Sequence, residues 1–265
     1  MNYAARVAIA CAVLGSSGCG TFRGQPVPQA PVPIAAADPI LEAVSTGWQN
    51  LVSDRRGLRA GAVLKLSGPE GAERLNQNVV VARPGRFRME ILAFLVTAAV
   101  LVVDDDRYDY FQSLPRIRDS GPVYPHLLYD IAGVPLTLEQ AVHFLLGAPP
   151  PRRGLHPAAG LRFPDGVVQV DLHDGRDQLA RRLAFDAEGR LLRAEDFAPG
   201  GQLHWRVGYD RYRQVGAQPF AHTIDFEFPR LSSRASVAFR TVELDPDTPG
   251  GVFRLDVPDE APEAP

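Results

Sequence analysis

The sequence predicts a mainly β protein of the α+β class: an open antiparallel half-barrel of about eleven strands, covered by a helical lid. Apolar and polar residues alternate with a period of two over most of the chain, which indicates strands with one buried and one solvated face. A few segments show the apolar periodicity of amphipathic helices instead. About eleven one-sided strands must curl into a barrel or a deep half-barrel to bury their apolar faces, and two amphipathic helices would then cover the open mouth.

The first nineteen residues predict secretion and acylation. Arg6 precedes the apolar stretch Val7–Leu14, and small residues then lead to Cys19, an arrangement typical of a signal peptide. The segment before Cys19 resembles a bacterial lipobox, although Ser16 stands where leucine is usual. The resemblance implies that residues 1–18 are removed and that Cys19 is the lipid-attachment site. An ordinary cleaved signal with an incidental cysteine is the alternative.

Both ends of the mature chain are expected to lie outside the folded domain. After the lipid anchor at Cys19, the segment Thr21–Ala37 is rich in Pro and Ala and has no apolar periodicity, which predicts an extended tether over residues 19–37. At about 3.1 Å per residue it would reach roughly 50 Å. Residues 259–265 form an acidic tail that we expect to be disordered. The folded domain is therefore predicted to span residues 38–258.

The caps of two helices can be recognised. Asp38-Pro39 supplies an N-cap and a first-turn proline, and we expect this helix to end at Gly57. Thr137 and Gln140 have the spacing of a capping box at the start of the second helix. Gly147 and the prolines that follow it are expected to end that helix.

The predicted strands each direct an apolar face to the interior. The segments Leu58–Leu66 and Phe87–Ile91 show the alternation, and polar turns such as Asp186–Arg190 separate the strands. The residues expected to face inward include Phe87, Met89, Val170, Trp205, Val207, Tyr209, Phe226 and Phe228.

One apolar run is unusual. Ile91–Val103 contains thirteen residues without a charge, a glycine or a proline. It is too short to span a bilayer core of roughly 30 Å and too long for one strand, so it must bend. Both ends continue strand patterns, which places the bend within Ala93–Ala98 and its tip at Phe94, Leu95 and Val96. Exposed turns normally use Gly, Asn, Asp or Pro, so this tip either is buried under a helix or contacts a membrane or an apolar ligand.

Charge and motifs argue against several classes of function. A net charge of −3 and a pI of about 6.1 do not indicate the basic surface that a nucleic-acid-binding protein needs. The sequence contains no nucleophile elbow, zinc-protease, P-loop or dinucleotide-binding string. Cys11 falls in the predicted signal peptide, which leaves Cys19 without a cysteine partner. The histidines lack ligand spacing, and Asp104–Asp106 lacks that of a calcium loop, so a solvated turn is expected there. We expect no enzyme, no metal and no cofactor.

The order of the elements resembles the LolA/LolB superfamily, and in particular LolB-like lipoproteins. That order is a helix, a set of strands, a helical insert and a second set of strands, and the resemblance covers residues 38–258. The stretches that carry it are Ala82–Leu92, Leu138–Pro151, His204–Tyr212 followed by Ala221–Phe228, and Val242–Pro258.

This resemblance implies a LolA/LolB-type half-barrel whose apolar cavity binds acyl chains. It also implies an outer-membrane lipoprotein, facing the periplasm, that receives lipoproteins from a LolA-like carrier and inserts them into the outer membrane. Gly20, where Asp would signal inner-membrane retention, agrees with that location. The eight inward residues named above would line the cavity, and Phe94, Leu95 and Val96 would form a membrane-contacting loop, although relatives carry Gly and Pro in that turn. The alternatives are a filled interior, a carrier or sensor of another apolar envelope ligand, and a structural subunit of an envelope complex.

Overall fold

The structure, a computed structural model, describes residues 30–69, 71–93 and 96–255. By its internal contacts the chain divides into the unit Met1–Ala30, of which only Ala30 is described, and the unit Pro31–Pro265. All the elements below belong to the second unit.

Several predicted features lie outside the described residues. They are the signal peptide 1–18, the lipid-attachment residue Cys19, the acidic tail 259–265, and the tip residues Phe94 and Leu95. The signal peptide, the lipid anchor and the disordered tail therefore stay predictions.

The described residues form a single sheet of fourteen strands, in which every neighbouring pair is antiparallel. The strands are β1 Val32–Ile34, β2 Gly57–Gly68, β3 Gly71–Ala82, β4 Arg86–Ala93, β5 Val96–Asp104, β6 Arg107–Gln112, β7 Ile117–Pro122, β8 His156–Arg162, β9 Val168–His173, β10 Leu179–Phe185, β11 Leu191–Phe197, β12 Leu203–Val215, β13 Gln218–Phe228 and β14 Ser233–Leu244.

The strand order confirms the predicted open half-barrel. It runs β1-β8-β9-β10-β11-β12-β13-β14-β2-β3-β4-β5-β6-β7, so β14 pairs with β2 and joins the two halves of the chain. Strands β1 and β7 end the order and leave the barrel open.

The helices lie in two places along the chain. They are α1 Pro39–Ser53, α2 Leu127–Ala132 and α3 Leu138–Leu145, and single 3₁₀ turns occur at Pro229–Leu231 and Gly250–Phe253. None of the helices in the described ranges is long and apolar enough to cross a membrane.

The strand count exceeds the predicted number because some strands lack apolar alternation. Strand β7 is exposed at nearly every position, and β8 contains Pro157 and Gly160. Backbone pairing with β6 and β9, rather than a buried face, holds these strands in the sheet. The alternation of apolar and polar residues therefore could not predict strands β7 and β8.

The predicted tether ends earlier than Ala37. Val32–Ile34 forms β1, which pairs with β8, and the side chain of Ile34 is buried. The segment has no apolar periodicity, but its backbone hydrogen bonds to β8 and the buried side chain of Ile34 hold it in the sheet. A Cβ added to Gly160 on β8 would overlap a methyl carbon of Leu41 in α1 and lie 2.8 Å from the carbonyl oxygen of Gln169 in β9, so this position requires a glycine.

Helix α1 starts where predicted but ends at Ser53 rather than at Gly57. Asp38 caps it, accepting a hydrogen bond from the N–H of Ile40 at 3.0 Å. Gly57 instead opens β2, where an added Cβ would lie 2.7 Å from the carbonyl oxygen of Val81. The glycine therefore permits strand contact and does not cap the helix.

The capping box of α3 is confirmed. Thr137 Oγ1 accepts a hydrogen bond from the N–H of Gln140 at 3.2 Å, and Gln140 Oε1 accepts one from the N–H of Thr137 at 3.0 Å. Helix α2 was not predicted, because its six residues are too few to show a helical period.

The core lies on the inward face of the sheet, under α1 and α3. The eight residues predicted to face inward are all buried and belong to one apolar cluster. Phe144 of α3 packs edge-on against Trp205 and Phe226, with ring centroids 5.0 and 5.3 Å away. The inward orientation of these strands is therefore confirmed, and α3 covers part of that face.

Candidate functional site

A cavity of about 740 Å³ lies between α1, the connection from α3 to β8, and strands β9 to β11. This volume falls within the range of about 300–1,000 Å³ that is usual for small-molecule sites. Its deep side is apolar and buried, and it is formed by Val52, Leu172, Leu183, Phe185 and Leu191. Its solvent side carries polar residues of α1, including Glu42, Thr46 and Gln49. The cavity thus combines an apolar wall with a wet mouth.

Basic side chains of separate elements border this cavity. Arg83, His143, Arg152 and Arg181 line it, together with the acidic residues Asp38 and Glu42. Burial, and then the charge of Arg83, lower the pKa of His143 below its ordinary value. His143 is therefore mainly neutral at pH 7, and the fixed positive charge at the cavity comes from the arginines.

Arg181 fixes one wall of the cavity. Its Nε and Nη2 donate to Asp196 Oδ1 at 3.1 and 3.0 Å, and its Nη1 donates to the carbonyl oxygen of Pro150 at 2.7 Å. Burial lowers the pKa of Arg181, and the charge of Asp196 opposes that shift. The guanidinium also lies 5.5 Å from the ring centroid of Trp205. A buried ion pair thus ties the α3–β8 connection to β10 and β11.

Arg55, directly after α1, is buried and makes its hydrogen bonds to neutral acceptors. Its Nε donates to Gln218 Oε1 at 2.9 Å, its Nη1 to Leu146 O at 2.6 Å and its Nη2 to Pro219 O at 2.7 Å. Burial lowers its pKa. The guanidinium joins the end of α1, the end of α3 and the start of β13.

The sequence analysis missed Arg55. It lies in an Arg-Arg pair at a helix end, where solvated arginines are common, and nothing local distinguishes it from Arg56. The position of Arg55 also explains why residue 147 is a glycine. An added Cβ on Gly147 would lie 2.5 Å from Arg55 Nη1, and Gly147 has a φ of +96°. The glycine after Leu145-Leu146 thus makes room for the guanidinium as well as ending α3.

The predicted cavity-lining residues lie elsewhere in the interior. None of Phe87, Met89, Val170, Trp205, Val207, Tyr209, Phe226 and Phe228 is among the described residues that line the 740 Å³ cavity. Phe226 borders a separate open depression of about 600 Å³ with Leu66 and Ala235. Trp205 and Phe226 contact the α3 residue Phe144 instead. That these residues contact a ligand stays a prediction.

The apolar run bends within the predicted interval. Strand β4 ends at Ala93 and β5 begins at Val96, and these two residues pair. The side chain of Val96 is 65% exposed. The described part of the tip therefore lies in solvent and is not covered by a helix.

A second apolar hairpin lies directly beside this tip. Ser113, which follows β6, donates hydrogen bonds from its N–H and its hydroxyl to Ala98 O at 2.9 and 3.1 Å. The turn from β6 to β7 carries Leu114, which is 87% exposed, and Ile117, the first residue of β7, is 43% exposed. The sequence analysis did not single out this turn.

The described residues contain no group of three or more His, Cys, Asp or Glu side chains placed to hold a metal ion. The buried charged groups next to the cavity, Arg181 and Asp196, are bonded to each other and to backbone. The cavity can hold the apolar part of a ligand against its wall and the polar part at its mouth.

Three solved structures share the fold. A DUF1329 family protein from Desulfovibrio piger aligns with a TM-score of 0.56 at 9% identity, over 83% of this chain and 98% of that chain. A domain assigned to outer membrane lipoprotein sorting, from Vibrio parahaemolyticus, aligns with a TM-score of 0.52 at 12% identity, over 80% and 95%. A LolA superfamily protein from Nitrosomonas europaea aligns with a TM-score of 0.52 at 11% identity, over 82% and 98%.

The chain has the LolA-type fold. Identities of 9–12% show the fold and nothing finer. Comparison of the sequence alone finds no matching family model and no matching curated protein. Two features of the described residues are candidate binding sites in this LolA-type fold: the cavity beside α1 and the pair of apolar hairpin turns.

Proposed function

We propose that the protein is a non-enzymatic lipoprotein of the bacterial outer membrane that binds acyl chains and helps to insert lipoproteins into that membrane. The observation that carries the proposal is the cavity of about 740 Å³, with its buried apolar wall and polar mouth, in a LolA-type fold. The Vibrio parahaemolyticus domain of the same fold is described as a lipoprotein-sorting protein, which supports this choice.

An acyl chain would bind with its hydrocarbon against the apolar wall. Leu172 and Leu183 keep 7% and 5% of their surface exposed there, whereas Phe185 and Leu191 are fully buried, so the chain would contact the two leucines first, and none of the four offers it a hydrogen-bonding group. Each methylene that leaves water gains about 0.8 kcal/mol, so even part of a chain would bind usefully. The polar end would stay at the mouth, near Gln49 and Arg152.

Longer ligands would extend under α3. Trp205 and Phe226 lie on the inward face of the sheet, and Phe144 occupies the space next to both. Displacing Phe144 would open this part of the interior to the chain and bring the predicted lining residues into contact with it. The energy of displacing one aromatic side chain is comparable to that of burying a few methylenes.

The anchor and the tip would hold the protein at the membrane. We propose that the lipid on Cys19 provides permanent attachment and that the tip Phe94–Val96 inserts transiently. A LolA-like periplasmic carrier would deliver the ligand, and no reaction beyond ligand transfer is involved.

Filling the cavity tests this function. Ala148→Trp places a large side chain at the cavity wall, whereas Ala159→Trp adds the same side chain at an exposed position of β8. Titration with a fluorescent fatty acid should show at least a tenfold loss of affinity, about 1.4 kcal/mol, for Ala148→Trp and little change for Ala159→Trp. Equal affinity of both variants and of the unchanged protein would place binding elsewhere and contradict the proposal.

A structural role is the second candidate, because Phe144, Trp205 and Phe226 already pack together as a filled core does. A scaffold protein would bind no fatty acid in the same titration.

A further inference from the structure

Exposed apolar side chains are concentrated at two adjacent hairpin turns. Six large hydrophobic residues are exposed in the described part of the chain, and three of them, Val96, Leu114 and Ile117, lie on the β4–β5 and β6–β7 turns. We call the described residues Val96–Ala98 and Ser113–Arg118 the double tip.

The two turns of the double tip form one structural unit. Both hydrogen bonds from Ser113 reach Ala98 O, and Ala99 pairs with Gln112 at the next position of the ladder. Gln112 Nε2 also donates to Leu114 O at 2.9 Å, which holds the backbone of the second turn. A ligand that contacts one turn therefore meets the other as well.

Folding does not explain the apolar composition of the double tip. Leu114 is 87% exposed, so it contributes almost nothing to the core. A leucine in a solvent-exposed turn gives up the backbone advantages of Gly, Asn or Asp. Apolar side chains are costly to expose to water, and here they occur together on two adjacent turns. Such a patch indicates a surface that binds a partner or a membrane.

The charge of the double tip favours a lipid surface over a protein. Arg116 and Arg118 flank Ile117 and Asp119 follows directly, so Ser113–Asp119 carries a net charge of +1 and Ile91–Val103 carries none, although the whole chain carries −3. The three exposed side chains of Val96, Leu114 and Ile117 offer far less than the roughly 800 Å² per partner that a stable protein interface needs. Apolar tips flanked by arginine instead fit the boundary between headgroups and acyl chains of an anionic bilayer.

We propose that the double tip docks on a bilayer with anionic headgroups, with Leu114 and Ile117 entering the interface beside Val96. The inference rests on the proposed function in one respect: it gives the membrane-contacting loop a second hairpin and a headgroup preference. It makes the β6–β7 turn, not the apolar run alone, part of the membrane site.

A matched control lies elsewhere on the sheet. Leu231 is 51% exposed in the turn between β13 and β14, and Arg230 and Arg234 are its neighbours in sequence. Strands β14, β2 and β3 separate this turn from β4 in the sheet order. Its composition resembles that of the second turn of the double tip, but it lacks an adjoining apolar hairpin.

Vesicle co-sedimentation tests the proposal with the Cys19→Ser chain produced without residues 1–18, so that neither the predicted signal peptide nor the proposed lipid anchor contributes to binding. Vesicles of equal parts phosphatidylcholine and phosphatidylglycerol should bind the variant Leu114→Ser/Ile117→Ser at least about tenfold more weakly, whereas Leu231→Ser should stay within about twofold. Arg116→Gln/Arg118→Gln should weaken binding to these vesicles by about fivefold in total and change binding to pure phosphatidylcholine little. Unchanged binding of the Leu114/Ile117 variant, or an equal loss for Leu231→Ser, overturns the proposal.

A gain of signal supplies a second, independent measurement. An environment-sensitive fluorophore on Leu114→Cys, in the same Cys19→Ser chain without residues 1–18, should shift its emission to shorter wavelength when anionic vesicles are added. The same fluorophore on Leu231→Cys should not shift. Absence of a shift at position 114 overturns the proposal even if a fluorophore at position 96 responds. Fatty-acid titration of the serine variants separates this inference from the carrier function, because the double tip does not line the cavity.

Discussion

Arg55 shows how one residue can link distant parts of the chain. Its hydrogen-bond acceptors lie 91 to 164 positions away in sequence, on the α3 end and at the start of β13. Because the guanidinium is buried, removing it leaves the carbonyl groups of Leu146 and Pro219 without their donor. Such groups are costly to leave unsatisfied, at about 1–3 kcal/mol each.

We expect Arg55→Leu to lower the free energy of unfolding by about 2–4 kcal/mol. Arg56→Leu is the control, since the neighbouring arginine is exposed. Urea denaturation followed by circular dichroism measures both. A loss below about 0.5 kcal/mol for Arg55→Leu, which is the usual range for surface substitutions, would mean that the three hydrogen bonds contribute nothing net.

Buried tyrosines predict a loss of stability at alkaline pH. Tyr108 donates a hydrogen bond to Asp119 Oδ2 at 2.7 Å, and this bond, with burial, raises its pKa from 10.0 to about 12. Burial raises the pKa of Tyr209 as well. The folded state thus keeps protons that the unfolded state releases, so the stabilisation is complete below pH 10 and is lost as the pH rises toward 12.

The free energy of unfolding should therefore fall with pH above 10, and Tyr108→Phe should make that slope shallower. Tyr129→Phe, at an exposed position of α2, should leave the slope unchanged. Denaturation curves at a series of alkaline pH values provide the measurement. A slope that is identical in the unchanged protein and in Tyr108→Phe would contradict the assignment.

Helix α3 covers part of the inward face of the sheet, where its Phe144 packs against Trp205 and Phe226. Its start was predicted because a capping box is a local pattern, and the box is present. Its contacts with Trp205 and Phe226 could not be predicted, because they depend on how the sheet curls and where the helix then lies. The same limit explains why the inward faces could be predicted from the sequence, whereas the residues around the 740 Å³ cavity could not be singled out from it.

We expect Phe144→Ala to lower the free energy of unfolding by about 3–5 kcal/mol in the absence of ligand, because it leaves a cavity between two aromatic side chains. It should also raise the affinity for a fluorescent fatty acid, and saturating fatty acid should restore part of the stability. Thermal melts with and without fatty acid test this. Destabilisation without any gain in affinity would show that Phe144 is a core residue and does not obstruct a binding site.

The β4–β5 hairpin is a second element where sequence and structure agree on position. The combined variant Phe94→Ser, Leu95→Glu and Val96→Ser should leave the melting temperature nearly unchanged, since Val96 is exposed, and should weaken vesicle binding. Full insertion of three such side chains would contribute roughly 4–9 kcal/mol at most. A large fall in melting temperature instead would mean that the tip is part of the core.

At the scale of the whole molecule, the alternating pattern was enough to predict a curled antiparallel sheet, a barrel or a deep half-barrel, and the resemblance to the LolA/LolB superfamily indicated the open form. One-sided strands can bury their apolar faces only by curling, so the architecture follows from the pattern. Two features of the sheet could not be predicted from local sequence: the pairing of β14 with β2 and the addition of β1 at the edge. Both depend on backbone contacts between residues that are far apart in the chain. The same is true of the double tip, whose two turns meet only because β5 and β6 pair.

The proposed binding of acyl chains by this LolA-type half-barrel is tested most directly by mass spectrometry of the lipids that co-purify with the Cys19→Ser protein produced without residues 1–18. This form carries neither the predicted signal peptide nor the proposed anchor lipid. We predict that acyl-containing species are bound to the unchanged cavity and are depleted in Ala148→Trp but not in Ala159→Trp. A folded protein that carries no acyl species in any of the three forms would contradict the claim.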